Sequence, residues 1–225
     1  MIVLALDTAG ADCAVALFDT ASRKMLCELT ETIGRGHAER LMAMIDEVLE
    51  GAGVDLQDVG RISVTIGPGS FTGIRVGVAT ARGLALSLGV EAVGISTLEV
   101  LAAEALERRR KSDGADDARP VLVAMDAKRG ELYVQLFSAT GRSLDEAAVL
   151  PVAEVRDAAA AASVEIVGSG QPLLAGEAAA GPADRFPIGR VARLALSAKP
   201  GKPKPLYLRG PDAKPQTGFA VARQG

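Results

Sequence analysis

Arg61-Ile62-Ser63-Val64-Thr65-Ile66-Gly67-Pro68-Gly69-Ser70-Phe71-Thr72-Gly73 reads as a short apolar strand that runs straight into a glycine-rich turn and then a helix. The strand is expected over Arg61 to Ile66 and the helix over Gly73 to Leu88, with Thr72 as its N-cap and Gly89 as its stop. Glycine lets the backbone turn sharply from strand to helix, and a helix N-terminus exposes amide groups that suit an anion. The turn is not a Walker A loop, because no Lys-Ser/Thr follows its glycines. It fails as a dinucleotide fingerprint, since Thr72 stands where the third glycine belongs, and Ser70 lacks the flanking pattern of a nucleophile elbow. A structural turn and an anion site, with Gly67, Gly69 and Ser70 as contacts, both stay open on pattern alone.

Working outward from that turn, the preceding segment is a strand meander. Ile2 to Thr8, Cys13 to Asp19 and Met25 to Ile33 follow one another too closely for intervening helices, which argues for antiparallel neighbours. A helix is expected from His37 to Glu50, with Leu41, Met44, Ile45, Val48 and Leu49 on one face. Asp7-Thr8, at the end of the first strand, would touch a nucleotide phosphate or its magnesium in one reading. In the other, favoured because Ala9-Gly10-Ala11 offers no hydroxyl, the pair satisfies local turn hydrogen bonds. In the helix after the glycine-rich turn, Gly73, Gly77, Ala81 and Ala85 recur every four residues and leave a smooth ridge for close helix packing.

Downstream, Glu91 to Ile95 is a strand, and Ser96-Thr97-Leu98-Glu99 has capping-box spacing at the head of a helix ending in Arg108 to Lys111. Ser112 to Arg119 is the candidate linker. Beyond it Val121 to Met125 and Glu131 to Phe137 form a second hairpin, followed by a helix (Ala153 to Ala162), a strand (Val164 to Gly168) and a helix (Ile188 to Ala198). The chain therefore reads as two α/β halves, residues 1–111 and a smaller 112–225 that ends in a Pro/Lys-rich tail.

Composition removes several classes of function. The chain has 225 residues, 48% of them hydrophobic and 24% charged, enough for one large domain or two compact lobes. A formal charge of −3 exerts no global pull toward nucleic acid. The tail, with Lys199, Lys202, Lys204, Arg209, Lys214 and Arg223 against Asp212, would contact RNA phosphates or simply stay solvated. His37 is the single histidine, so a multi-histidine zinc site is excluded by arithmetic and a metallopeptidase is disfavoured. Placed at a helix start, it reads as a neutral capping or packing group. The loop Asp126-Ala127-Lys128-Arg129-Gly130 reads as a solvated turn or an anion contact. Two cysteines, Cys13 and Cys27, point to a reducing compartment, and the N-terminus has no signal-peptide pattern. No apolar run approaches the roughly 18 residues of a membrane span. A cytoplasmic protein without membrane contact is expected.

Ile2 to Thr8, His37-Ala38-Glu39-Arg40-Leu41, Gly67 to Gly77, Ala79 to Ala85, Ser96 to Glu99 and Pro205-Leu206-Tyr207-Leu208-Arg209 together resemble the TsaB family, relatives of TsaD and of the proteins once labelled glycoproteases. The similarity is tightest in the first half and looser between Leu144 and Lys204. The resemblance implies an α/β, actin-like ATPase (ribonuclease H-like) two-lobed fold with a reduced second lobe. It implies a non-catalytic subunit in formation of threonylcarbamoyladenosine on tRNA, binding and activating TsaD, with TsaE in the larger complex, tRNA reached indirectly and a homodimer when alone. No tightly bound cofactor or metal is implied, and a nucleotide at the subunit interface stays open. The H-x-x-x-H metal motif of TsaD maps onto Ser96 to Ala103, which has no histidine. The expected partner interface is the ridge Gly73, Gly77, Ala81 and Ala85 with Leu41 and Ile45 of the neighbouring helix. The rival reading is an independent nucleotide-binding ATPase or kinase using Asp7, Thr8 and the Gly67 loop.

Overall fold

A computed structural model describes residues 1–112, 117–178, 180–199 and 201–209. The first sheet holds β1 (Ile2–Asp7), β2 (Asp12–Asp19), β3 (Lys24–Thr32), β4 (Val59–Gly67) and β5 (Glu91–Ser96) in the order β3-β2-β1-β4-β5. β1, β2 and β3 pair antiparallel, as the tight spacing predicts, while β4 and β5 join parallel to β1. The central strand β1 is apolar from Ile2 to Leu6 and buried from Val3 to Asp7, because helices cover both faces of the sheet. Edge strand β3 instead alternates exposed and partly buried residues, as a strand covered on one side should.

Helices α1 (His37–Ala52) and α2 (Phe71–Leu88) pack on one face of this sheet, against β2–β3 and β4–β5 respectively. Leu41, Met44, Ile45, Val48 and Leu49 of α1 point inward as their spacing requires. α3 (Thr97–Lys111) lies on the opposite face, capped by Ser96, whose hydroxyl accepts the Leu98 N–H at 3.2 Å. The Glu99 carboxylate reaches back to the Ser96 amide, completing the capping box.

The second sheet holds β6 (Val121–Asp126), β7 (Glu131–Phe137), β8 (Ala148–Pro151) and β9 (Glu165–Val167), ordered β8-β7-β6-β9. It repeats the first four positions of the first sheet: an antiparallel meander with a parallel strand beside its first member. α3 is the layer between the two sheets, touching β4 and β5 on one side and β6, β7 and β9 on the other. Its last turn is tied to the second sheet by Arg109, which is buried, ion-pairs with Glu165 and donates to the carbonyls of Asp117 and Arg119. The inner face of the second sheet (Val121, Val123, Met125, Phe137, Val167) merges with the main core. On the outer face a cluster of only Ala124, Leu132, Val134, Val155 and Leu174 lies beneath α4 (Val152–Ala160) and α5 (Gln171–Leu174). The second lobe is reduced in this physical sense: one face of its sheet has little of its own to bury. β8 and α5 are too short to show in the sequence pattern.

Residues 188–209 depart from the expected partition. α6 (Ile188–Leu194) packs on β1 and β2 of the first sheet, and the following segment returns to β4, where the Leu206 N–H donates to the Ile66 carbonyl at 2.8 Å. The expectation of one continuous second lobe over 112–225 is corrected accordingly: Ile188, Val191 and Ala192 cover the open face of β1 and β2, which leaves them no part in the second sheet's core. Residues 113–116 of the candidate linker, and Lys214, Arg223 and Asp212 of the tail, lie outside the described residues.

Candidate functional site

The strand-to-helix turn after β4 meets the β1–β2 turn, and this junction gathers Asp7, Thr8, Gly67, Gly69 and Ser70. The Gly67–Pro68 peptide is cis. The Ser70 amide donates to the Ala9 carbonyl at 2.7 Å, and the Ser70 hydroxyl accepts the Gly73 N–H at 3.2 Å. Ser70, not Thr72, is therefore the N-cap of α2, and the helix starts two residues earlier than its apolar periodicity indicates. The Thr8 hydroxyl donates to the Gly73 carbonyl at 2.7 Å. A Cβ on Gly73 would fall on the Thr8 carbonyl oxygen, so α2 can approach the turn this closely only with glycine there. The five residues named for an anion are thus together, but their polar groups are largely bonded within the junction.

Asp7 is fully buried. Its Oδ1 accepts from the Ala9 amide (3.0 Å) and the Thr65 hydroxyl (2.5 Å), while Oδ2 has no partner among the described residues. Burial pushes its carboxyl up to about 6. Asp12, five residues on, takes the Thr32 hydroxyl (2.6 Å) and Arg185 (3.1 Å), and its carbonyl accepts the His37 Nε2–H at 3.2 Å. His37 is a buried packing group that ties α1 to β2.

The second lobe repeats the junction in outline. Asp126 ends β6 as Asp7 ends β1, and Gly168-Ser169-Gly170 follows β9 as Gly67-Pro68-Gly69 follows β4. The Ser169 hydroxyl accepts the Asp126 amide (2.9 Å) and donates to Asp184 (2.5 Å), whose carboxyl is raised mainly by burial. Lys128 closes on Asp126 at 2.6 Å, so the loop Asp126 to Gly130 is engaged with itself. Between the two junctions runs Asp184-Arg185-Phe186. Phe186 is buried against Gly10, with a ring carbon 3.3 Å from where a Cβ on Gly10 would stand. Phe186 therefore covers the β1–β2 turn from the segment that also bonds Ser169. The sequence reading missed Phe186, Asp184 and Ser169; the Gly-Ser-Gly echo after β9 was the available signal for the second junction, and nothing local marked Phe186.

The six residues expected to form the partner interface lie elsewhere than expected. Leu41, Ile45, Gly73, Gly77, Ala81 and Ala85 are all buried within the chain. Gly77 faces Thr8 and Val64, with its Cβ position 2.5 Å from the Thr8 hydroxyl. The small-residue ridge lets α2 approach its own sheet, which corrects its assignment as an exposed docking ridge. The outward stripe of α1 and α2 carries Met42, Ala43, Thr72, Ala79, Gly83 and Leu86 instead.

Two lobes of repeated topology, with an acidic residue at the end of each first strand, define the actin-like ATPase (ribonuclease H-like) class. Residues 29–188 match the family model described as "TsaD: tRNA N6-adenosine threonylcarbamoyltransferase". YeaZ from Pseudomonas aeruginosa superposes with a TM-score of 0.74 at 30% identity, over 92% of this chain and 99% of that one. The Escherichia coli protein named tRNA threonylcarbamoyladenosine biosynthesis protein TsaB is 37% identical over 133 residues, 59% of this chain and 53% of that protein. An uncharacterized Mycobacterium tuberculosis protein is 30% identical over 95% of this chain and 94% of its own length. The chain belongs to the TsaB/YeaZ family, within the TsaD-related group. It spans about half the length of the curated relatives named TsaB that it matches. Among the described residues, no helix is long and apolar enough to cross a membrane.

Proposed function

We propose that this chain is a non-catalytic subunit in the formation of threonylcarbamoyladenosine on tRNA, pairing with and activating a TsaD-type transferase. The observation that carries this reading is the covered β1–β2 turn. Phe186 packs over the β1–β2 turn, and Thr8 and Ala9 bond directly to the head of α2. An independent ATPase or kinase of this class would need that turn open to its nucleotide. The transferase itself, and the ATPase subunit TsaE, would be separate chains. A nucleotide would enter, if at all, at a subunit boundary.

The pairing surface is the outward stripe of α1 and α2. Leu86 and Met42 are exposed, and the Cβ position of Gly83 opens on empty space, so a partner helix would pack closely there. The same surface would hold a second copy when the transferase is absent.

The test is reconstitution of tRNA threonylcarbamoylation from purified synthase, TsaD and TsaE, with and without this chain, and with its Gly83→Trp form. Modification should depend on the chain and be lost with Gly83→Trp, while that variant melts at the wild-type temperature. Modification that proceeds equally well without the chain, or ATP hydrolysis by the chain alone, would refute the proposal.

A further inference from the structure

Apart from the pairing stripe, α2 has a flank that faces the C-terminal segment, and the two segments share an unusual charge pattern. Neither α2 nor residues 199–209 contains an aspartate or glutamate, although the whole chain is net acidic. Arg75, Arg82, Lys202 and Lys204 have no ion pair among the described residues, whereas Arg40, Arg61, Arg109 and Arg190 each face a carboxylate. Glu91, beside the flank, is paired with Arg61 at 2.7 Å, and Glu131 is paired with Arg209.

Two aromatic rings join these cations. Of the six aromatic side chains described, Phe18, Phe137 and Phe186 are buried and Tyr133 is partly covered. The remaining two, Phe71 and Tyr207, are about half exposed and stand side by side, ring centroids 5.3 Å apart. Arg75 lies over the Phe71 ring at 3.6 Å and donates to the Tyr207 hydroxyl at 2.8 Å. Farther along, Arg82, Val90, Glu91, Lys202 and Pro203 line a cavity of 600 Å³, together with Leu86, which the flank shares with the pairing stripe.

We propose that this flank, with Phe71, Arg75 and Arg82 on α2 and Lys202, Lys204 and Tyr207 on the facing segment, binds single-stranded RNA. Unpaired cations in a row neutralise successive phosphates, and half-exposed π faces with an apolar cavity receive bases. That combination is the one sequence-tolerant single-strand binders use. An acidic protein segment would use the cations but would leave the aromatic pair without a role. The binding stands independently of the pairing reading, because it requires no second subunit.

The test is fluorescence anisotropy of a fluorescein-labelled 12-nucleotide oligouridylate titrated with the full chain across a salt series. A 12-residue polyglutamate peptide serves as the competing probe. Binding should weaken log-linearly with salt. Arg82→Glu/Lys202→Glu should weaken it at least about tenfold and shrink the salt slope by about 1.4, two phosphates at 0.7 each. Tyr207→Ala should cost about fivefold or more with the slope unchanged, as loss of one stacked base requires. Tyr207→Phe, which keeps the ring against Phe71, should restore affinity and so separates stacking from any loosening of the segment. The charge-matched Arg23→Glu/Lys24→Glu form should bind as wild type. The proposal is overturned if oligouridylate does not bind, if Arg23→Glu/Lys24→Glu weakens it as much, or if polyglutamate binds equally well with Tyr207→Ala silent. The last result would assign the flank to an acidic protein partner.

Discussion

Replacing Asp7 with asparagine isolates the electrostatic cost of the β1–β2 junction. The carboxyl is raised from 3.8 to about 6, chiefly by burial. Between those two values the folded chain keeps a proton that the unfolded chain has released, so stability falls as pH rises through that window. Above it the deprotonated carboxylate is a standing penalty. A shift of about two units at about 1.4 kcal/mol each makes that penalty about 3 kcal/mol. Asparagine keeps the acceptor used by Ala9 and Thr65 but places an amide N–H where Oδ2 has no partner, at a cost of about 1–3 kcal/mol that does not vary with pH. The stability of Asp7→Asn relative to wild type should therefore climb by about 3 kcal/mol between pH 4 and pH 8, and reach parity or better at the upper end. Urea unfolding followed by circular dichroism at each pH measures this directly. A difference that is flat with pH, or that falls, would refute the argument. Magnesium-ATP added at pH 8 supplies a second reading: neither form should be stabilised, whereas stabilisation of wild type alone would make Asp7 a nucleotide-site residue.

Gly73→Ala should lower stability by about 2 kcal/mol or more, since its Cβ meets the Thr8 carbonyl, a backbone atom that cannot swing aside. Thermal melting would register this as a loss of about 4–8 °C, and an unchanged melt would mean that the junction is looser than described. Phe186→Ala should cost about 3–5 kcal/mol as a buried aromatic truncation. If it costs less than about 1 kcal/mol, the ring is not packed over the β1–β2 turn as described.

How much of this was legible in the sequence follows from the reach of each signal. The β1–β2–β3 meander, the inward face of α1 and the Ser96 capping box rest on contacts within a few residues, and each was read correctly. The strand-to-helix turn was also read, but its N-cap was placed at Thr72. Ser70 caps because its backbone is held to Ala9, a partner 61 positions away that no local pattern reveals. The glycine-alanine ridge shows the same limit. Spacing established that something packs closely on Gly73, Gly77, Ala81 and Ala85; only the fold shows that the neighbour is the chain's own Thr8 and Val64. α6 was recognised as a helix and assigned to the wrong lobe, because an amphipathic stripe says that a face is buried without saying against which sheet.

The repeated junctions bear on why the chain would keep a costly carboxylate. Each lobe ends its first strand in aspartate and follows its parallel fourth strand with a Gly-X-Gly turn. In the first lobe that turn is bonded to the β1–β2 connection through Ala9, Thr8 and Gly73. In the second, the turn is bonded to Asp126 and, through Ser169, to Asp184 on the segment that carries Phe186. Arg185, between them, holds Asp12 of β2. Residues 184–186 therefore bond to both lobes, with Phe186 covering the β1–β2 turn. The two junctions are thus joined through the chain's own side chains. On the proposed function, such a join would suit a partner-binding subunit better than an ATPase that opens and closes on its substrate. Under the same proposal, the raised carboxyl of Asp7 is the cost of keeping the strand end that both lobes share while Phe186 covers the turn beside it.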